Sequence, residues 1–246
     1  MQLLENKVAI VTGGGSGIGR AVALHYAAEG AMVVVADKNE TGGNQTVTMI
    51  KEKSGEAFFA KTDVSKPSDN EMLVHHAIEH YGALHIACNN AGIGGAAALT
   101  GEYPIDNWDK VISINLSGIF YGMRYQIPAM LKFGGGAIVN MTSILGQVGF
   151  KTASAYTAAK HGIVGLTKTA ALEYGVQNIR INAVGPGFIK TPLLEGLDEK
   201  PLILLHPIGR LGTAEEVAEL VLFLSSSKAS FITGGYFPVD GGYLAQ

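Results

Sequence analysis

Short, almost unbroken apolar runs that alternate with longer helical stretches constrain this chain more than any other feature. The runs are KVAIVT (7–12), MVVVAD (32–37), AFFAKTD (57–63), LHIACNN (84–90), GAIVNMTS (136–143) and IRINAVG (179–185), with FPVDGG (237–242) as a seventh. Helical stretches fall between them at 17–29, 41–53, 68–81, 108–133, 153–174 and 214–225. A strand with one wet face alternates polar and apolar residues, whereas a strand covered on both faces is apolar throughout. The βαβα order therefore predicts an open, doubly wound parallel α/β sheet with helices on both faces.

The chain has 246 residues, 47% of them hydrophobic and 16% charged, enough for a substantial core in one domain spanning 1–246. No linker, repeat or shift in composition divides it. The formal net charge of −3, with no basic stripe, argues against nucleic acid or an anionic membrane as partner. No apolar run approaches a membrane span. The first residues, MQLLENKVAIV, lack the basic-then-apolar order of a secretory leader. The single cysteine, Cys88, sits in an apolar run and reads as a buried, inert thiol, so a reducing cytoplasm is the expected compartment.

The segment VTGGGSGIGR (11–20) runs from the first strand into the first helix. Ile18 falls where the last Gly of G-x-G-x-x-G would be, but Gly13, Gly17 and Gly19 fit a wider spacing. Residues without a Cβ let the backbone turn tightly and let a pyrophosphate approach the amides of a helix N-terminus. The second strand ends in Asp37, twenty residues after Gly17, where an acid can reach an adenosine ribose. Taken singly, each feature is also what a ligand-free turn and a solvated acid look like. Together they point to a dinucleotide.

In SAYTAAKHG (154–162), Tyr156 and Lys160 stand four apart on a helix of small residues. A phenol has an ordinary pKa of ~10, and a neighbouring ammonium favours its ionised form. Such a tyrosine can take a proton from an alcohol or return it to a carbonyl. A helix pair with no chemistry has the same spacing.

The order and separation of these motifs make the chain resemble the short-chain dehydrogenase/reductase family over nearly its whole length. The matching segments are TGGGSGIG (12–19), NNAG (89–92), Asn115 in ISINLSG, Ser143 in IVNMTS, YTAAK (156–160) and NAVGPGFIKTP (182–192), with Ser143 thirteen residues before Tyr156. The resemblance implies a Rossmann-like fold and an NAD-dependent oxidoreductase acting on alcohols or ketones. Tyr156 would be the general acid/base. Lys160 would lower its pKa and hold the nicotinamide ribose. Ser143, rather than its neighbour Thr142, would hydrogen-bond the substrate oxygen. Asn115 would hold a water that links Lys160 to solvent.

The loop residues Gly13, Gly15, Ser16, Gly17, Ile18 and Gly19 would surround the pyrophosphate, with Asp37 on the ribose. Asp63 and Val64 would meet adenine, and Asn90, Ala91 and Gly92 would line the cofactor. Pro186, Gly187, Ile189 and Thr191 would hold the nicotinamide and its carboxamide. Residues 188–207 would form a flap over a small-molecule alcohol or ketone, walled by that flap and by ILGQVGF (144–150). No cation is expected to face the substrate, with Lys151 and Lys190 turned to solvent and Lys38 turned away from Asp37. A neutral, moderately apolar secondary alcohol or its ketone, cyclic in one version, is the expected substrate. Two alternatives are a 3-oxoacyl thioester reductase of the same family and an NAD-sensing regulator without turnover. The regulator would have lost members of the Asn115, Ser143, Tyr156 and Lys160 set, and none is missing.

Small residues on the Tyr156 helix, Ala155, Ala159 and Gly162 on one side and Ala158, Gly162 and Gly165 on the next, permit close packing. With the resemblance they imply a homo-oligomer, a tetramer. His76 and His80 have metal-compatible spacing, but no third ligand falls in pattern, so no metal is assigned. HPIGRLGTAEEV (206–217) reads as a loop and a capping box from Thr213 to Glu216, structure rather than chemistry.

Overall fold

A computed structural model describes residues 2–246. Seven parallel strands form one sheet in the order β3-β2-β1-β4-β5-β6-β7. They are β1 Val8–Thr12, β2 Met32–Asp37, β3 Glu56–Lys61, β4 Ile86–Asn89, β5 Gly136–Met141, β6 Ile179–Pro186 and β7 Tyr236–Val239. The main helices are α1 Gly17–Ala28, α2 Glu40–Glu52, α3 Pro67–Tyr81, α4 Ile105–Ile112, α5 Gly118–Lys132, α6 Ser154–Tyr174, α7 Glu199–Leu204 and α8 Ala214–Ser225.

The apolar runs serve two cores. Along β1, Ala9 and Val11 join the cluster that also holds Val22, Val217 and Val221, from α1 and α8. Val8 and Ile10 join the opposite cluster with Leu73, Ile119 and Ile163, from α3, α5 and α6. Successive side chains point to opposite faces, so a strand feeding two cores has no polar position left. Strand order reverses between β1 and β4, and such folds bind ligands at that switch, beyond the carboxyl ends of the strands.

Several boundaries differ from the sequence reading, three of them with a visible cause. The expected 108–133 helix is broken into α4, a π-helical turn at Ser113–Ser117 and α5. Its cause is long-range: the Asn115 side chain is tied to a distant backbone segment, described below. Strand β7 ends at Val239 because the Asp240 carboxylate accepts from Gly242 N (3.0 Å) and Leu244 N (2.9 Å), turning the chain through Gly241 and Gly242 at φ 55° and 88°. Strand β3 stops at Lys61 because Asp63 folds back onto Ser65. The capping box is present: Thr213 Oγ1 accepts from Glu216 N at 3.3 Å, and Glu216 accepts from Thr213 N at 2.9 Å. Arg210 donates to the Glu216 carboxylate and, with the Thr213 amide, holds its pKa near about 2.

Candidate active site

The glycine-rich loop rises from β1 and enters α1. Gly13 and Gly17 have φ 66° and 50°, values that L side chains avoid. A Cβ on Gly13 would stand 2.8 Å from Asn90 Nδ2, and one on Gly17 would stand 3.3 Å from Thr191. Ser16 is the N-cap of α1, yet its side chain caps none of the first-turn amides, which stay available to an anion. Gly15 and Gly19 act differently from the sequence expectation. Neither lines the groove. Gly15 N donates to Asp37 Oδ2 at 2.8 Å, and Gly19 is buried where a Cβ would overlap the Gly13 carbonyl.

Asp37 also accepts from Asn39 N at 2.8 Å, so two backbone amides fix its carboxylate at the end of β2. Lys38 is largely exposed, yet it does not turn away from the Asp37 side of the groove. Its Nζ lies 3.1 Å from Asp63 Oδ2, and it shares a groove wall with Asp37. The Asp63 carboxyl is held below its ordinary value, first by the Ser65 hydroxyl and in part by Lys38.

Residues that follow β4 are placed by Thr12, which sequence reading did not single out. Its Oγ1 accepts from Asn90 N (2.9 Å) and Ala91 N (3.1 Å), while Asn90 Nδ2 donates to Thr12 O at 3.0 Å. Asn115, fully buried on the π-turn, clamps the next residues: Oδ1 accepts from Ile93 N at 2.9 Å and Nδ2 donates to Ile93 O at 2.8 Å. Ile114, on the same π-turn, lines the groove. Gly92 packs against the turn, since a Cβ there would stand 3.2 Å from Asn115 Oδ1. Each end of the Asn115 amide is thus engaged by Ile93, which turns the side chain toward the segment after β4.

The end of β5 and the start of α6 bring Ser143, Tyr156 and Lys160 together. Ser143 is extended (φ −168°), and its carbonyl accepts from Tyr236 Oη at 3.0 Å. Thr142 turns the other way, its Oγ1 donating to Lys160 O at 2.9 Å, so Ser143 is the hydroxyl that faces Tyr156. Lys160 is buried. Its Nζ lies 5.3 Å from the Tyr156 ring centroid and donates to Met141 O at 2.9 Å.

The expected lowering of the phenol is not what this arrangement gives in the chain alone. Burial pushes Tyr156 above its ordinary value, opposed by the hydrogen bond with Ser143. The same burial pulls Lys160 down to about 7, which weakens the cation meant to act on the phenol. A base whose pKa falls on folding costs stability while it holds its proton. Below about 7 both folded and unfolded chains carry the charge; from there to the ordinary 10.5 only the unfolded chain does. The unfolding free energy of wild type relative to Lys160→Met, without dinucleotide, should therefore be level below pH 7 and rise from about 7 to 10.5. Urea titrations across that range check it, and a flat difference contradicts it.

Tyr236 is a second residue that sequence reading missed, because its partner Ser143 is 93 positions away. Its ring lies over Gly185, where a Cβ would overlap the tyrosine hydroxyl. Gly185→Ala should cost about 1–3 kcal/mol by overpacking and lower kcat. Tyr236→Val in the same chain should restore the stability but not the hold on Ser143. Thermal unfolding and kcat of both variants check this.

Two cavities meet at the site. One, of about 470 Å³, is lined by Ser143, Tyr156, Lys160, Pro186, Gly187, Ile189 and Thr191. The other, of about 330 Å³, is lined by Gly13, Ser16, Gly17, Asp37, Asp63, Val64 and Ala91. Ile18, Asn90, Gly92 and Thr191 line both, so one groove runs from Asp37 to Tyr156. A nicotinamide dinucleotide fits these residues: a glycine cradle with open amides at its middle, an acid at one end and Tyr156 beside Ser143 and Lys160 at the other.

The larger cavity continues under Ile144, Leu145 and Phe150 and under Leu193, Leu194 and Leu197. Leu202, Ile203, Leu204 and Leu205 do not reach it. Lys151 lies on its wall rather than pointing away, with Glu195 also on the wall. On α6, Ala155 and Ala159 are buried within the chain and Gly162 abuts Leu116, so that stripe is internal packing, whereas a Cβ at Gly165 would meet open space. Burial pushes the Cys88 thiol up to about 12, as an inert thiol requires. His76 pairs loosely with Glu79, and among the described residues no metal-competent cluster forms and no helix is long and apolar enough to cross a membrane.

A family model described as enoyl-(acyl carrier protein) reductase matches residues 13–244. The chain is 50% identical over 242 residues to the cyclohexanol dehydrogenase of Acinetobacter sp. (strain SE19), covering 98% of this chain and 96% of that protein. It is 40% identical over 247 residues to the cis-4-hydroxycyclohexanecarboxylate dehydrogenase of Sinomonas cyclohexanicum, covering 99% of each. Among solved structures, levodione reductase superposes with a TM-score of 0.95 at 39% identity, over 98% of this chain and 99% of that one.

Proposed function

Because the chain belongs to the short-chain dehydrogenase/reductase family and is a pyridine-nucleotide-dependent oxidoreductase of CH–OH groups, we propose that it interconverts a neutral cyclic secondary alcohol of the cyclohexanol type and its ketone, with NAD. The observation that carries this reading is the cavity around Tyr156. Its walls are Ile144, Leu145, Phe150, Phe188 and leucines, and its charged side chains besides Lys160 are Lys151 and Glu195, of opposite sign. Apolar walls favour a small carbocycle, and away from the Lys160 beside Tyr156 the two charges balance, so a carboxylate there gains no net attraction. The 50% identity to a cyclohexanol dehydrogenase supports the same class.

When bound, the dinucleotide accepts or delivers the hydride. The chain's own residues handle the proton. Tyr156 Oη takes it from the alcohol, Ser143 Oγ holds the substrate oxygen, and Lys160 in its charged form stabilises the phenolate and the nicotinamide ribose hydroxyls. The backbone carbonyl of Asn115 holds the water that connects Lys160 to solvent. Gly13, Ser16, Gly17 and Ile18 face the pyrophosphate, Asp37 the adenosine ribose, and Asp63 and Val64 the adenine. Asn90, Ala91 and Gly92 flank the cofactor, and Pro186, Gly187, Ile189 and Thr191 hold the nicotinamide. Residues 188–207 cover the substrate within the single domain. We place the protein in the cytoplasm as a homotetramer, paired through the exposed apolar residues of α5 and α6 such as Phe120 and Leu172.

A panel of cyclohexanol, 4-hydroxycyclohexanecarboxylate and a 3-hydroxyacyl thioester, followed by nicotinamide absorbance, tests the assignment. Cyclohexanol should lead in kcat/KM by about tenfold or more. A lead for the carboxylate or the thioester would overturn it.

A further inference from the structure

Resting on the reading of residues 188–207 as the substrate cover, we propose that His206 is a positioning residue that sets the shape of that cover. His206 is 4% exposed. Its Nε2 accepts from Phe188 N at 3.2 Å, and its Nδ1 lies 2.8 Å from Leu202 O. An amide can only donate and a carbonyl can only accept, so Nε2 is bare and the ring proton sits on Nδ1. One imidazole thus ties the first residue of the covering segment to the C-terminal turn of α7.

Aromatic packing extends the tie to the substrate. The ring meets Phe188 edge-on, with centroids 5.7 Å apart, and Phe188 meets Phe150 at 6.0 Å. Both phenylalanines line the larger cavity. Tyr243 joins the cluster, 5.8 Å from the imidazole and 6.3 Å from Phe188. The turn before Phe188 is confined as well: a Cβ on Gly187 would stand 2.8 Å from His206 Nε2 and 3.0 Å from Asp240 Cα. Among the described residues, His206 is the partner of the Phe188 amide.

This bond needs a bare Nε2. The charged groups around the imidazole are otherwise engaged. Arg210 and Glu216 hold each other at 2.6 and 2.9 Å, and the Asp240 carboxylate takes the Gly242 and Leu244 amides. Tyr243 presents its ring. Loss of the Nε2 acceptor should therefore loosen the cover through His206 itself, raising KM for the alcohol while leaving kcat little changed.

Two substitutions separate the two nitrogens. His206→Asn keeps a donor near Nδ1 and removes the acceptor for Phe188. His206→Gln places an acceptor near Nε2. Hydrogen exchange of the Phe188 amide, without substrate or dinucleotide, is the first readout, and the KM-against-kcat split for cyclohexanol is the second. His206→Asn should exchange about tenfold faster at Phe188 and raise KM about fivefold with kcat within about twofold. His206→Gln should stay close to wild type in both readouts. Wild-type exchange and KM in His206→Asn overturn the proposal, as does Phe188 exchange about tenfold faster in a folded His206→Gln, the arm that decides if the Asn variant fails to fold. Fast exchange in a protein that ignores cyclohexanol overturns the substrate reading alone, and slow exchange in one that turns it over overturns the His206 role alone.

Discussion

Tyr156→Phe is expected to lower kcat by roughly 10³-fold, within the range that positioned acid–base groups supply, while leaving dinucleotide affinity within a few-fold. The substitution removes one oxygen and keeps the ring against Lys160. Ser143 still offers its hydroxyl to the substrate, but nothing at that position can accept the alcohol proton. Lys160 cannot stand in. Its Nζ is buried and directed to Met141 O. Lys160→Ala should damage both turnover and cofactor affinity, because it removes the phenolate's partner and the ribose contact together. Steady-state kcat and a fluorescence-quench titration of dinucleotide on each variant separate the two. A Tyr156→Phe enzyme with near-normal kcat contradicts the assignment.

The second large effect is at the other end of the groove. Wild type should prefer NAD to NADP by about a hundredfold or more in kcat/KM. The 2′-phosphate of NADP brings about −1.5 to −2 charge. At ~4 Å and an effective dielectric of about 20, two like unit charges repel by ~4 kcal/mol, and each ~1.4 kcal/mol is tenfold. The structure changes one part of this argument. Lys38 lies on the groove wall, where it could have offset the phosphate, but it is paired with Asp63 at 3.1 Å. Asp37, Asp63 and Lys38 together leave this end with a net formal charge of −1. Asp37 is also held rigid by Gly15 N and Asn39 N, both at 2.8 Å, so it cannot swing away. Asp37→Ser should shrink the ratio chiefly by improving NADP. Measuring kcat/KM for both cofactors on both proteins decides it, and equal use of NADP by wild type refutes the electrostatic reading.

Most of the fold was legible because its logic is local. A strand buried on both faces must be apolar at every position, and the runs at 7–12 and 32–37 announce this before any contact is known. The Tyr156–Lys160 pair was legible for the same reason, since four residues on a helix is a neighbouring distance. What was not legible depends on distant partners. The π-turn at Ser113–Ser117 follows from Asn115 holding Ile93. The support of Ser143 comes from Tyr236, and that of Phe188 from His206. The direction of the Tyr156 shift was misread because spacing reveals the neighbouring cation and not the burial that weakens it.

The most direct measurement mixes the purified wild-type chain with NAD and cyclohexanol and follows nicotinamide absorbance together with the ketone formed. The expected result is one cyclohexanone per NADH, abolished in Tyr156→Phe. No reduction of NAD by cyclohexanol, alongside rapid oxidation of a reduced nicotinamide by a 3-oxoacyl thioester, would contradict the central claim.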